Sequence, residues 1–482
     1  MGLFGKKQTD DCEDLGEALA QTNSGRREVE LVIGDDGELE AMTPDEAEKS
    51  GKEKVGTTIG TKPYYNDKEE GAMEPRVYIY QDHLQDFWNS GQSQCFGAAF
   101  EWKGEQVYHV YIKYPQVAPT GYSMPCLFRV VDTDDYEKAE DVALSVYASM
   151  SEEAKRVPVV IVCIHVEDTK VSSRAFIVDD GRIIEAGVKY VPRKSELYTR
   201  SKGLLEVGAL ESKKVLIVGL GSGGAPIAVE LAKAGVGHFI LMDFDRIELH
   251  NIARHICGVN ELGRLKVNAV KDAILLKNPY AQVETYDIDM NKHLDILEKC
   301  VAESDLTIAA TDEYASRYNI NACLVKLGKV GLFGRAVTRA EGGDILRVRP
   351  GGPCYACLTG NPIYHQNDEI TDVRRARELG VIPAYVSDED AHAMVQVGLS
   401  TDIAPINNMM VKLALNELSR GIECGISSLI EELTYDYYIW ANRRDFQFAN
   451  WAPFNRNPNR HLTILRWYGV KLKKDSECLE CR

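Results

Sequence analysis

The residues best suited to chemistry gather around one glycine-rich turn, Gly219-Leu220-Gly221-Ser222-Gly223-Gly224. It follows a short apolar run, Val215 to Val218, and precedes Ala225 to Ala234, where apolar residues recur at helical spacing. A second apolar run, Phe239 to Met242, ends in Asp243, an acid about twenty residues past the glycines. Strand, glycine turn, helix, strand and acid form a nucleotide-binding crossover. Gly219 permits the tight turn, Gly221 lets the backbone approach a phosphate, and Gly224 lets the helix pack close to its strand. The helix N-terminus adds unpaired N–H groups and a partial positive charge, and Asp243 is placed to accept hydrogen bonds from a ribose. By itself this pattern says only nucleotide, which leaves an NAD-dependent oxidoreductase in play. Two Cys-x-x-Cys pairs, Cys354/Cys357 and Cys478/Cys481, lie far apart. Together they make the four-cysteine pattern of a structural zinc site, favoured here over redox disulfides.

Further residues narrow the reading. Asp243-Phe-Asp245-Arg-Ile-Glu-Leu-His-Asn251-Ile-Ala-Arg254-His is followed by Gly263-Arg-Leu-Lys266. Then come Ala310-Thr-Asp312-Glu-Tyr-Ala-Ser-Arg317-Tyr-Asn319 and Cys354-Tyr-Ala-Cys357. With these motifs in this order, the stretch from about Tyr198 to Arg420 resembles the ThiF/MoeB/HesA and ubiquitin-activating (E1-like) adenylating enzymes. The resemblance implies a Rossmann-like α/β adenylation domain that binds ATP and Mg2+. Its implied activity is to adenylate the C-terminal glycine carboxylate of a ubiquitin-like or sulfur-carrier protein, release pyrophosphate and pass the acyl group on, for instance to an E2-like conjugating enzyme. Gly219, Gly221, Gly224, Asp243, Asp245 and Asn251 are then expected at the nucleotide. Arg254 faces the terminal phosphates, Lys266 supplies a second cation, Asp312 ligates magnesium, and Arg317 orients the same loop. The usual glutamine after Arg254 is His255 here. An expected helix, Glu196 to Ala209, would carry Arg200 to the phosphates of a neighbouring subunit, which implies a homodimer. Cys354 and Cys357 fall where the family places its zinc pair, so Cys478 and Cys481 read as a staple for the chain end. The rival is a catalytically silent module that recruits a ubiquitin-like protein or an E2.

The acyl acceptor is the open question. Full ubiquitin-activating enzymes carry a cysteine after the first zinc pair, and none lies between Leu358 and Arg420. The segment runs into a helix expected over Ile406 to Arg420. Three routes remain: adenylation alone, an oxyester on Ser400 or Thr401, or a thiol from elsewhere such as Cys257 or Cys424. A serine nucleophile needs an adjacent base, and no histidine motif marks one. Thr401 and Asp402 also read as helix-capping residues.

The elements around this core divide the 482 residues into segments. Residues 1–73 read as a mostly disordered acidic tail, except for a hairpin over Arg27 to Met42 around Asp35-Asp36-Gly37. Residues 74–192 read as a separate, non-catalytic α/β domain. Its expected strands include Arg76–Tyr80, Gln106–Tyr114 and Val157–Val166; Tyr136–Met150 is an expected helix, and Asp179-Asp180-Gly181 marks a hairpin. Its element order resembles the JAB/MPN metalloprotease fold, but the zinc-binding His-x-His is His165-Val166-Glu167 here. After Ser172 and Ser173 no aspartate follows at the required spacing. A single imidazole cannot hold catalytic zinc. An E2-like domain using Cys95 or Cys126 is the alternative. Residues 193–425 form the adenylation domain, and 426–482 carry strands (Glu431–Trp440, His461–Tyr468) and the second cysteine pair. A net charge of −17 argues against nucleic acid or an anionic membrane as partner. The absence of long apolar runs and the scattered cysteines suggest a cytoplasmic protein.

Overall fold

Two apolar patterns organise the chain: strands apolar at every position, which are covered on both faces, and strands apolar at alternate positions. The computed structural model describes residues 27–35, 39–60, 75–102, 105–113, 115–117, 123–167, 170–191, 197–198, 201, 207–337, 340–360, 398–422, 426–444 and 464–482. The chain divides into two compact units, Met1–Met73 and Glu74–Arg482.

In the first unit, β1 (Arg27–Ile33) pairs antiparallel with β2 (Leu39–Met42), the hairpin read from the sequence, and with β3 (Lys54–Gly60). Between β2 and β3, α1 (Pro44–Ser50) starts on a capping box. Thr43 Oγ1 accepts from Glu46 N, and Glu46 Oε2 accepts from Thr43 N at 3.0 Å. Residues 27–35 and 39–60 thus fold as a small sheet with one helix, more ordered than the mostly disordered tail expected. The Gly- and Thr-rich sequence of β3 hides it from an alternation test.

The second unit begins with a seven-stranded closed barrel. Its strands are β4 (Arg76–Tyr80), β5 (Gln94–Trp102), β6 (Val107–Tyr111), β7 (Ser123–Val130), β8 (Val159–Glu167), β9 (Lys170–Asp179) and β10 (Arg182–Val191). Helices α2 (Gln81–Asn89), α3 (Thr133–Glu137) and α4 (Ala139–Ser149) interrupt them. Strand β8 is apolar from Val159 to Ile164 because both its faces are covered there. Val160, Val162 and Ile164 fill the interior, while Val159, Ile161 and Cys163 pack with Ala139 and Ala143 of α4. The expected α/β domain is therefore a barrel with helices between its strands.

The remaining elements are α5 (Val207–Leu210), β11 (Lys214–Val218), α6 (Gly224–Lys233), β12 (His238–Met242), α7 (Lys266–Leu275), β13 (Gln282–Tyr286), α8 (Leu294–Glu303), β14 (Leu306–Ala309) and α9 (Tyr314–Leu327). They continue as β15 (Gly331–Ala336), β16 (Gly342–Val348), α10 (Tyr355–Thr359), α11 (Ser400–Leu418), α12 (Ser427–Glu432), β17 (Tyr437–Ala441) and β18 (Arg466–Val470). The eight strands form one sheet in the order β13-β12-β11-β14-β15-β16-β17-β18. It is parallel from β13 to β15 and antiparallel from there on. Val215 and Ile217 face the core shared with α6, α7 and α11; Leu216 and Val218 face the one shared with α8, α9 and α10.

Three expectations shift. The strand expected over Glu431–Trp440 splits into α12 and β17, and β17 and β18 extend the main sheet. Helix α11 starts at Ser400, six residues before Ile406 and with Pro405 inside it; Leu399 occupies the N-cap, so Thr401 and Asp402 lie in the first turn. Asp402 pairs there with Arg443 at 2.6 Å. Of the expected helix 196–209, only its end appears as α5, and most of the rest lies outside the described residues.

The join between α11 and the antiparallel strands is ionic. Arg347, fully buried, donates to Glu417 Oε1 at 3.2 Å and to the carbonyls of Leu433 and Tyr435. Burial pushes the Glu417 carboxyl up, but Arg349, Arg347 and Arg420 outweigh it and hold its pKa below 4.5. A depressed carboxylate contributes stability above its unfolded pKa and loses it as pH falls through the folded value. Glu417→Ala is expected to cost about 3–5 kcal/mol, since it strands a buried guanidinium. Thermal unfolding of the variant should lose part of the acid-side decline expected of the wild type as pH falls below 4.5 and through the depressed Glu417 value. An unchanged midpoint at neutral pH would refute the assignment.

Candidate active site

Strands β11, β12 and β14 end level with one another: Val218 is the partner of both Met242 and Ala309. Gly219, Asp243 and Ala310 therefore leave the sheet together, where the strand order reverses. Ligands of such sheets bind at this crevice. The turn above β11 needs glycine for different reasons at different positions. Gly219 has φ +85°, and a Cβ there would lie 2.8 Å from the Ala310 carbonyl oxygen. A Cβ at Gly224 would lie 1.9 Å from the Gly219 oxygen, so α6 can sit this close only without a side chain. At Gly221 nothing lies within 4 Å, and the backbone is open to an approaching group. No side chain caps α6, which leaves its positive end available to an anion.

Polar side chains hold the turn from three sides. Asp243 Oδ2 accepts from Leu220 N at 2.6 Å, and its Oδ1 accepts from Asp245 N at 2.8 Å. Burial raises the Asp243 pKa, opposed by Lys266 and these two backbone donors. Each carboxylate oxygen retains a lone pair for a further donor. His255 Nε2 lies 2.8 Å from the Leu220 carbonyl. Cys257 N donates to His255 Nδ1 at 3.1 Å, so Nε2 carries the hydrogen and donates to Leu220. Burial keeps this imidazole below its ordinary pKa of 6.5, which suits the neutral form. From α11, Asn407 Nδ2 donates to the Ser222 carbonyl at 2.9 Å. Sequence reasoning noted His255 only as a replacement for the usual glutamine, without a role, and missed Asn407. A buried asparagine on the apolar stripe Ile403, Ile406, Met410 was the signal for the second.

The expected cations lie on the β12 side. Lys266 opens α7 almost fully buried, with Nζ 2.7 Å from Asp245 Oδ2 and its N–H bonded to the Asp245 carbonyl. Asn251 Oδ1 accepts from Glu248 N at 3.0 Å, closing the 3-10 turn Leu249–Asn251 that leads to half-buried Arg254. Asp312 is exposed just beyond β14. Arg317, buried in α9, donates through Nε to the Thr311 carbonyl at 2.8 Å and through Nη2 to the Gly334 carbonyl at 2.9 Å. It fixes the Asp312 loop against β15. Ser400 is exposed and seven residues before Asn407 on α11, about 10 Å along the helix axis. Arg200 lies outside the described residues.

A second cluster is built from sulfur. The Sγ atoms of Cys354, Cys357, Cys478 and Cys481 all lie within 4.8 Å of one another. The closest approaches are 3.4 Å for Cys357–Cys481 and 3.7 Å for Cys354–Cys478. Tetrahedral Zn–S bonds place sulfurs about 3.8 Å apart, so the four thiols fit a zinc ion. Among the described residues this is the only group of three or more such ligands, and the barrel holds none. There His165 Nδ1 lies 3.3 Å from the Val131 carbonyl instead. Burial pushes the Cys95 thiol up to about 11 and fully buried Cys126 well above its usual value. Neither is a ready nucleophile.

Comparison with known proteins places this geometry. The chain is 32% identical over 213 residues to the adenylyltransferase and sulfurtransferase MOCS3 of Culex quinquefasciatus, covering 42% of this chain and 47% of that one. It is 37% identical over 156 residues to the molybdopterin-synthase adenylyltransferase of Escherichia coli, covering 31% and 60%. It is 29% identical over 212 residues to a sulfur carrier protein adenylyltransferase of Thermus thermophilus, covering 41% and 76%. The chain thus spans about half the length of the Culex relative. The ThiF family profile matches residues 198–458, more than half of the sequence and the whole of this crevice: the chain belongs to the ThiF family.

Proposed function

We propose that the protein is an ATP-dependent adenylyltransferase acting on the C-terminal glycine of a ubiquitin-like or sulfur-carrier protein. A terminal carboxylate oxygen attacks the α-phosphorus of ATP, the α–β bridging bond breaks, and pyrophosphate leaves from the acyl-adenylate. The observation that carries this reading is the crevice itself, with an open glycine turn facing Lys266 and Arg254 across strand ends of equal level. The α6 N-terminus and Gly221 take the phosphates. Asp243 takes the ribose on lone pairs not used by Leu220 and Asp245. Lys266 and Arg254 balance the charge that develops on the leaving pyrophosphate. Asp312 would hold magnesium by one carboxylate, which suits an ion that keeps waters and phosphate oxygens as its other ligands; the ion would neutralise phosphate charge. The sequence partner His255, in place of glutamine, keeps the turn rigid.

The remaining assignments follow from local chemistry. Among the described residues no base hydrogen-bonds to exposed Ser400, and Cys257 is buried with its thiol pushed up to about 11. The acyl group is therefore read as passing from adenylate to a partner, such as an E2-like protein, without an enzyme ester. The barrel is read as a JAB/MPN-like domain without its metal chemistry. No helix among the described residues is long and apolar enough to cross a membrane, in keeping with a cytoplasmic enzyme. Homodimer formation is read from the family, and the exposed apolar side chains flanking Arg254, Phe244, Leu249 and Val259 at 56%, 74% and 67% exposed, are the candidate contacts.

Three outcomes are expected. Carrier-stimulated exchange of pyrophosphate into ATP, assayed with a panel of glycine-terminated ubiquitin-like and sulfur-carrier proteins, should fall roughly 100-fold or more in Asp312→Ala. The fold should survive, because Asp312 is exposed; wild-type rates in the variant would sink its role. Protein purified under reducing conditions should carry one zinc per chain, lost on replacing Cys478 and Cys481 by serine. Loss of the ion should lower stability on the order of 10 kcal/mol, and metal analysis showing no zinc in the wild type would overturn the site. Finally, Leu249→Asp with Val259→Asp should shift sedimentation from dimer to monomer, whereas an unshifted dimer would place the interface elsewhere.

A further inference from the structure

The activated carboxylate must reach the α-phosphate from the side opposite the leaving pyrophosphate. In the adenylation reading, on which the following rests, Lys266 and Arg254 attend that leaving group from the β12 side of the glycine turn. The incoming tail therefore approaches from the β14–β15 side, past Asp312. Ala309 of β14 is the partner of Phe333 in β15, and two residues beyond that pair come Thr311 and Arg335. Arg335 thus stands beside the Asp312 loop, at the edge the tail must cross.

Its setting is unusual for a surface arginine. Arg335 and Asp344 are cross-strand partners in β15 and β16. Arg335 Nε lies 3.1 Å from Asp344 Oδ1 and 2.9 Å from Oδ2. The carboxylate side chain is 10% exposed and the arginine 35% exposed. The acid is thus inside and the guanidinium at the mouth. Both bonds to Asp344 use Nε, and Tyr437 shares a further side-chain hydrogen bond with Arg335; the guanidinium carries four more N–H donors on Nη1 and Nη2. Burial lowers the charge preference of Arg335, but Asp344 outweighs it and its pKa stays raised, so the cation is permanent. The position is also rigid. Arg317 bonds the Thr311 and Gly334 carbonyls together, and Gly334 immediately precedes Arg335. One buried guanidinium thereby fixes a second, half-exposed one relative to Asp312. Exposed Tyr314, in the first turn of α9, lies near the same cation.

We propose that Arg335 is a substrate-binding residue whose fork, anchored through Nε by Asp344, donates to the peptide oxygens of the carrier's C-terminal tail as it passes Asp312. A planar fork fits two carbonyl or carboxylate oxygens at once; an ammonium in its place offers the charge without that geometry. The arginine would select an extended, glycine-ended peptide and would play no part in binding ATP.

The test uses the full-length enzyme and the member of the carrier panel that gives the highest pyrophosphate exchange. It compares KM for the carrier with KM for ATP in wild type, Arg335→Gln and Arg335→Lys. The expected result is a carrier KM raised about 10- to 100-fold in Arg335→Gln, the loss fitting one charge-assisted bidentate contact. The lysine variant should recover only part of it, and KM for ATP should stay within about twofold. A synthetic decapeptide copying the carrier's C-terminus should compete with the carrier for the wild type and less well for Arg335→Gln. Circular dichroism checks folding; if the glutamine variant is unfolded, the lysine variant carries the comparison. A folded variant with wild-type carrier KM overturns the proposal and leaves the adenylation reading standing. A parallel rise in KM for ATP also overturns it, by assigning Arg335 to the nucleotide. Absence of exchange by the wild type with every carrier would overturn the adenylation reading itself, and the tail-binding role with it.

Discussion

Three backbone segments meet above the sheet with no room for a side chain between them. The Gly219 carbonyl lies where a Cβ of residue 224 would be, and the Ala310 carbonyl lies where a Cβ of residue 219 would be. Helix α6, the strand that feeds it and the loop that carries Asp312 are consequently in direct backbone contact. Their separation is fixed by van der Waals radii and not by the flexible ends of long side chains. A methyl group at either glycine would push α6 or the Asp312 loop outward, and a displacement near 1 Å in a reacting geometry is costly. The rest of the crevice inherits its accuracy from this contact.

Close backbone packing alone would leave the turn's polar groups unsatisfied, and buried polar groups need partners. Asp243, His255 and Asn407 answer that need, each from a different element. The consequence is a division of labour within single residues. Asp243 secures the turn with two backbone hydrogen bonds and still has acceptor capacity facing the crevice. Asp245 accepts the Lys266 ammonium and so holds a nearly buried cation beside the proposed phosphate site. In a site of low dielectric, such pre-oriented charges act without reorganising during the reaction.

The centre of the fold was legible in the sequence, and its margins were not. Val215 to Val218 and Phe239 to Met242 could hardly be anything but buried parallel strands, and the glycine spacing named the turn between them. The roles of His255 and Asn407 were hidden because each depends on a partner 35 and 185 residues away. The barrel was hidden for another reason: closure is a property of all seven strands, while the sequence reveals only each strand's own alternation. Helix α11 was read as starting at Ile406; the structure starts it at Ser400 with Pro405 inside, a residue that lacks the N–H for a helical hydrogen bond and so hides the extra turn. In β3, runs of glycine and threonine carry no apolar period to detect. Among the site residues, the cysteines were the easiest to read. Four thiols 124 residues apart in two matched pairs have few reasons to converge other than a shared ligand.

That convergence also explains why the sheet continues beyond its parallel half. A parallel sheet ending at β15 would expose an open edge, and β15 is the strand whose end forms one wall of the crevice. Strand β16 follows β15 closely and covers that edge, but β17 and β18, which continue the sheet, arrive from distant parts of the chain. Joining such remote segments costs closure entropy that rises slowly with length, so a single cross-link there secures a large area. The cysteine cluster is placed to do this. Cys354 opens α10, whose Tyr355 stacks on Phe333 with ring centres 5.0 Å apart. Phe333 stands two residues before Arg335 on the same strand. Cys478 closes the cluster from the segment after β18 and is itself buried against the same core. A metal at the cysteines would therefore hold α10 and the chain end against β15, and β15 carries both the carbonyl that Arg317 grips and the side chain at the mouth of the crevice. The staple and the site are joined through that one strand, and its rigidity is what they have in common.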